Sequence, residues 1–279
     1  MTTAKTPSNL PVRVITVMSG KGGVGKTNIS VNLALALRES GDRVILWDMD
    51  LGLANVDILL NLKVSTDLSH VLNGEKSISE VIIEGPNGLL IVPGASGDAD
   101  LANIDEKGRK HLIDAIEELT QQTDWLIIDS GAGISENVLA FAASMDEIIL
   151  ATTPEPTAVI DAYAVIKQLA EIAPSVQIHL VVNMVKNRRD FVITEKNLSV
   201  AARNFIGSKI ENSGFIPYDS HVGHAVRRRT PFFLEYPKCN AAIAIQSLAK
   251  NIKLHPPSPS ETRASDENFL SRFWHHLKT

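Results

Sequence analysis

Cysteine is almost missing from this chain, which has 279 residues and a single Cys239. One thiol makes no intramolecular disulfide and supplies no Cys-x-x-Cys metal or cluster site, which fits a reducing compartment and leaves Cys239 as a small residue of the Pro-Lys-Cys-Asn turn. Long apolar runs are also missing: no stretch reaches the roughly 18 residues a spanning helix needs. MTTAKTPSNLPVRV has no continuous apolar core, so a secretory signal is not expected there. Nor is there an excess of positive charge: 27 Lys and Arg face 32 Asp and Glu, a net charge of -5. Nucleic-acid binding is therefore not expected from the overall field, and only a local basic patch would support it. No repeat recurs at a fixed period. With 44% hydrophobic and 21% charged residues, what remains is a globular chain able to bury a substantial core.

Val- and Ile-rich runs alternate with helix-period segments. Strands are expected at 12–18, 43–47, 88–93, 124–129, 147–152, 176–183 and 209–217, and helices at about 25–40, 106–122, 135–144, 157–172, 190–206 and 240–253. That order describes repeated βαβ units, hence an α/β fold with a mainly parallel sheet and helices on both faces. The sequence divides into a flexible N-terminus (1–11), a folded domain (12–254), a linker (255–267) and a terminal segment (268–279). HPPSPSETRASDE is rich in Pro, Ser and charge and cannot bury enough apolar surface to offset its ordering.

VRVITVM, SGKGGVGKT and NISVNLALAL form a strand, a glycine-rich loop and a helix, with Gly20, Gly25, Lys26 and Thr27 matching G-x-x-x-x-G-K-[ST]. Such a loop turns backbone N–H groups inward on phosphates, so Gly20, Lys21, Gly22, Gly23, Val24, Gly25, Lys26, Thr27 and Asn28 are the expected nucleotide contacts. Lys26 neutralises β- and γ-phosphate oxygens, and the Thr27 hydroxyl is suited to Mg²⁺. A carboxylate on the metal's side is expected at the end of a neighbouring strand. Asp129 closes WLIID and is followed by Gly131, Ala132 and Gly133, a loop able to approach a γ-phosphate. Asp48 and Asp50, two apart in WDMDLGLANVD, would face one side of a strand. Orientation of the attacking water is assigned to Asp50 and metal support near Lys26 to Asp48, although spacing alone leaves the two roles interchangeable.

KGGVGKT with its extra Lys21, the DxDxGLxNxD segment at 48–57 and IIDSGAG resemble the MinD/ParA group of deviant Walker-A ATPases, a SIMIBI, MinD-like type of P-loop NTPase. GLANVDILL, EPTAVIDAYAVIK and GFIPYDSHVGHAVRRRTPFF are closer to its flagellar-number branch, FlhG or FleN, than to the division-site proteins. The similarity spans roughly residues 12–253. It implies an ATPase of weak intrinsic activity, with ATP and Mg²⁺, that forms a homodimer in its ATP state. Lys21 would then cross to the partner's phosphates; the alternative is an exposed lysine that stays on its own side. Concentrated triphosphate charge at an interface makes such a crossing physically sensible. The same positional resemblance gives Asn183 to the adenine edge and Pro217, Tyr218 and Asp219 to the base's other wall, an amide being suited to adenine's donor and acceptor. Ser135, Glu136 and Asn137 would respond to loss of the γ-phosphate, or Ser135 would simply cap a helix. Partners implied by the branch are an FlhF-type GTPase and, in some lineages, a flagellar transcription activator or a switch-complex protein. Some members stimulate the GTPase through an N-terminal DQAxxLR-like segment, and MTTAKTPSNL contains nothing similar.

In NFLSRFWHHLKT, Phe269, Leu270, Phe273, Trp274 and Leu277 form one stripe of a helix. The stripe either lies on a membrane surface or packs on the domain, and its position after an exposed linker favours the membrane. The expectation is a cytoplasmic protein held peripherally on the inner membrane, at a cell pole in the flagellar reading. KNRR (186–189) and RRR (227–229) are solvated cationic faces, or contacts for a partner protein or acidic lipid. The alternatives to a flagellar switch are a division-site or DNA-partition ATPase and a cluster-carrier ATPase, the last disfavoured by the lone Cys239.

Overall fold

The computed structural model describes residues 12–50, 55–94, 106–174, 176–206 and 210–256. The expected flexible N-terminus, most of the linker and the terminal helix with Phe269, Leu270, Phe273, Trp274 and Leu277 lie outside the described residues.

In chain order the elements are β1 (Arg13–Ser19), α1 (Lys26–Glu39), β2 (Val44–Met49), α2 (Val56–Leu59), α3 (Leu68–Leu72), α4 (Ile78–Val81), β3 (Ile83–Glu84), β4 (Leu90–Val92), α5 (Glu106–Gln122) and β5 (Trp125–Ala132). They continue with α6 (Glu136–Ala143), β6 (Glu147–Thr152), α7 (Pro156–Ile172), β7 (Gln177–Val185), α8 (Arg188–Ile206), β8 (Glu211–Pro217), α9 (Ser220–Arg227), α10 (Phe232–Glu235) and α11 (Asn240–Leu254). The strands form one sheet in the order β3-β4-β2-β5-β1-β6-β7-β8. Every pairing is parallel except that of β3 with β4.

Central strands such as VILWDM and EIILAT are buried at every position, as parallel strands covered on both faces must be. Successive side chains alternate between two cores. Ile45 and Trp47 join the cluster under α3, α4, α5, α6, α7 and α8, whereas Val44 and Leu46 join the cluster under α1, α10 and α11. After β1 the chain steps to β2 on one side, and after β5 it crosses to β6 on the other. That reversal opens a crevice at the carboxyl ends of the strands, where doubly wound sheets bind ligands.

Several elements differ from those expected, β2 running on to Met49 and β7 to Val185. β5 does not stop at Asp129 but runs on to Ala132, because Ser130 still pairs with Met49 of β2 and Ala132 with Ser19 of β1. The strand expected at 88–93 shrinks to Leu90–Val92, since Pro86–Gly88 forms a tight turn in which Asn87 and Gly88 are left-handed. Short helices α2, α3, α4, α9 and α10 occupy segments too brief for a readable helical period.

The amino end of the sheet is tied together by one arginine. Arg13 bonds Glu147 through Nε at 2.9 Å, donates to the Ile252 carbonyl at 2.8 Å and lies over the Trp125 ring at 4.5 Å. His179 Nε2 stands 3.1 Å from Glu147 Oε2, and Gln177 donates to the His255 carbonyl at 3.3 Å. The end of α11 is thereby fixed to the starts of β1, β6 and β7.

Candidate functional site

Gly25 starts the site. It caps α1 with φ 91°, a left-handed conformation that favours glycine, and no side chain caps the helix. A Cβ at Gly25 would meet Asn183 Nδ2 at 2.4 Å, and one at Gly20 would meet the Asp161 carbonyl oxygen at 2.4 Å. The first turn of α1 holds no acid, so its uncapped N–H groups and positive end face the crevice, the arrangement that receives phosphate.

A cavity of about 1140 Å³ opens in front of this turn. It is lined by Lys21, Gly22, Gly23, Gly25, Lys26, Thr27 and Asn28 of the loop, by Asp50, and by Asn183, Pro217, Tyr218 and Asp219 opposite. Most of the residues expected from the sequence are thus gathered around one space. Gly20 and Val24 lie behind the lining: Gly20 is pressed on α7, and Val24 gives its carbonyl to Asn183 Nδ2 at 2.7 Å.

Behind the loop sits a buried polar centre. Lys26 Nζ donates to Asp129 Oδ1 at 3.0 Å, and the Ser30 hydroxyl donates to the same oxygen at 2.7 Å. Lys26 is 7% exposed and Asp129 fully buried. Asp129 Oδ2 has no hydrogen-bond partner. A buried carboxylate oxygen left unpaired costs free energy, and a hydrated divalent cation satisfies it. The donor set of Thr27 hydroxyl and Asp129 carboxylate is the oxygen-only kind that suits Mg²⁺. Ser30 was not anticipated from sequence, although its place four residues after Lys26 puts the two on one face of α1.

Asp48 is Asp129's neighbour across the pairing of β2 with β5, and is itself 1% exposed. Burial first, and the Asp129 charge second, push its carboxyl up to about 6. Its Oδ1 accepts the Asp50 N–H at 3.0 Å, and its Oδ2 accepts those of Asn55 and Val56 at 3.1 Å each. In this arrangement Asp48 holds the backbone at Asp50 and at Asn55 and Val56. The expectation that Asp48 and Asp50 share one strand face requires a correction. β2 ends at Met49, and Asp50 lies beyond it, its N–H turned back to Asp48. The two acids therefore differ in kind: Asp48 is fixed in the interior, whereas Asp50 lines the cavity beside Gly131, whose added Cβ would stand 4.0 Å from Asp50 Oδ1.

Lys21 faces the other way. Its ammonium donates to the Thr157 hydroxyl at 2.9 Å and to Glu155 Oε2 at 3.4 Å, at the start of α7. The side chains of Lys21 and Glu155 are 40% and 70% exposed, so solvent competes for this contact.

At the far wall, Asn183 is 8% exposed and accepts the Met184 N–H at 2.9 Å as well as bonding Val24. An amide has two donors and two acceptor sites, so one of each remains for a ligand. Met184, also on the lining, has a left-handed backbone with φ 57° and was not foreseen. Tyr218 is 61% exposed at the lip. Asp219 accepts the His221 N–H at 3.0 Å and so caps α9 while bordering the cavity. The rim is completed by Asn55 and Ile58 near α2 and by Val226, Arg227 and Arg229 near α9, short segments that the sequence pattern did not connect with the site.

Comparison with known proteins places this geometry. The AAA domain family model matches residues 12–182. Antiactivator FleN of Pseudomonas aeruginosa is 36% identical over 96% of this chain and 96% of its own length. The flagellum site-determining protein YlxH of Helicobacter pylori is 36% identical over 78% of this chain and 74% of its own. Among solved structures, the MinC:MinD cell division protein complex of Aquifex aeolicus matches with TM-score 0.71 and 26% identity, over 90% of this chain and 99% of the other. MinD of Pyrococcus horikoshii, complexed with Mg-ADP, matches with TM-score 0.68 and 27% identity, over 86% and 96%. With the two-lysine phosphate loop, the paired Asp48 and Asp129 and this likeness along the whole described fold, the chain belongs to the MinD/ParA family of P-loop ATPases, close to its FlhG (FleN) branch.

Proposed function

We propose that this protein is an ATP-dimerising switch that sets flagellar number and placement from the cytoplasmic face of the inner membrane. The protein is an ATPase, with ATP as substrate and Mg²⁺ as its metal. Thr27 and Asp129 would hold the hydrated metal, which supplies charge neutralisation at the β- and γ-phosphates. Lys26, kept close by Asp129, has two further N–H groups for phosphate oxygens. Asp50, at the cavity wall, orients the attacking water, and Asp48 holds Asp50 in place through its backbone N–H. Asn183 reads the adenine edge with its remaining donor and acceptor, against the wall of Pro217, Tyr218 and Asp219.

One observation carries the switch reading: of two lysines in a single loop, Lys26 is locked in the interior while Lys21 is half-exposed and held only by surface groups. A lysine so placed is free to leave for a second copy's phosphates. The names of the relatives supply the biology, since one is an antiactivator and another determines flagellar sites. A MinC:MinD complex among the structural neighbours supports protein partners in general. For this chain we propose an FlhF-type GTPase, a flagellar transcription activator or a switch-complex protein in that role. The helix expected at 268–279 would make membrane residence depend on dimerisation, because two weak anchors act as one strong one.

The test is analytical ultracentrifugation of Asp50→Ala with ATP and with ADP. We expect a dimer that persists with ATP and a monomer with ADP, with hydrolysis reduced at least about 100-fold. A species of one size with either nucleotide overturns the switch.

A further inference from the structure

α8 carries an exposed face that the ATPase site does not use. Arg189, Val192, Ile193, Lys196, Val200 and Arg203 are all exposed, and at about 100° per residue they share an arc of about 100°. Lys186 and Arg188 extend the positive charge at its amino end, and no acid between 186 and 204 is exposed, Asp190 and Glu195 being half-buried. Among the described residues none of these five cations has an ion-pair partner. Val192, Ile193 and Val200, 49%, 48% and 42% exposed, lie between them.

Helix stability does not account for this pattern. Lys186, Arg188 and Arg189 crowd the positive end of the α8 dipole, where cations are disfavoured. They stand out in a chain of net charge -5. From there the face follows α8, a 19-residue helix about 28 Å long, towards the amino end of the sheet. That is also the end where Arg13 and Gln177 hold the close of α11, from which the chain continues to the terminal segment.

We propose that the exposed face of α8 is a contact surface for anionic phospholipid, a second membrane signal beside the terminal helix. It rests on the membrane reading above and deepens it. A single short anchor binds reversibly, and a basic surface on the same chain, acting as a second signal, makes the attachment stable. The face is flat along one helix and mixes cations with aliphatic side chains, which suits headgroups above a hydrocarbon boundary. A nucleic-acid backbone would satisfy the cations but offer Val192, Ile193 and Val200 no apolar surface to bury against. Each cation close to an anionic membrane strengthens binding about fivefold.

The test is flotation of the full chain with ATP on vesicles of phosphatidylcholine alone and of phosphatidylcholine with phosphatidylglycerol. We expect the wild type to favour the anionic vesicles and Arg189→Glu/Lys196→Glu/Arg203→Glu to lose that preference by at least about tenfold. The variant should keep wild-type ATPase rate and ATP-dependent dimerisation, which shows that it is folded. An unchanged anionic preference overturns the proposal, as does loss of duplex-DNA retention with vesicle binding intact. Deleting 268–279 separates the two membrane elements. If that deletion leaves neutral-vesicle binding unchanged, the terminal helix fails as an anchor, while the α8 surface is still judged by the charge variant alone.

Discussion

Lys21 and Lys26 belong to one nine-residue loop, yet the protein treats them as opposites. Lys26 is 7% exposed and bonded to a fully buried carboxylate; Lys21 is 40% exposed and rests on a threonine and an exposed glutamate. A charge pair in the interior is costly to break, because the survivor is left uncompensated, whereas an exposed pair is worth little and exchanges readily. One loop thus holds one lysine fixed in the interior and another at the surface in a contact that exchanges readily.

The contrast breaks most visibly at the buried lysine. Lys26→Met should reduce ATP hydrolysis at least about 100-fold and lower stability by about 3 kcal/mol, read from the urea midpoint, because Asp129 loses its cation. Stability unchanged from the wild type would mean that the buried pair is not a structural commitment. Lys21→Ala should leave the urea midpoint within about 0.5 kcal/mol of the wild type and keep nucleotide bound, yet abolish the ATP-dependent dimer. Dimer formation by this variant would show that the second lysine has no role between copies. The smallest effect is expected for Glu155→Gln. It weakens the resting contact of Lys21 and should lower the ATP concentration for half-maximal dimerisation by no more than about fivefold. A shift in the opposite direction would place Glu155 on the dimer's side of the balance.

The difference between these lysines was only half legible in the sequence. G-x-x-x-x-G-K-[ST] marks Lys26 because the spacing itself makes the phosphate cradle, and the alternation of apolar runs gives the sheet and its major helices. Their placements depend on short-range periodicity and on local turn chemistry. What periodicity does not encode is what distant segments do to one another. Ser30 reaches Asp129 across 99 positions, and Thr157 meets Lys21 across 136. Asp48 and Asp50 look alike as a pair two apart, and only the end of β2 at Met49 separates an interior anchor from a cavity wall. The apolar run WLIID ends at Asp129, but pairing with β1 and β2 carries the strand on to Ala132. The rim near α2 and α9 was invisible for a similar reason, since elements of four and eight residues are too short to announce themselves.

The arginine at the start of β1 has a mechanical consequence. Arg13 grips the last turn of α11, and six residues further along the same strand Ser19 opens the phosphate loop. A pull on the last turn of α11 is therefore borne by Arg13 at one tip of β1, the strand whose other tip is the nucleotide cradle.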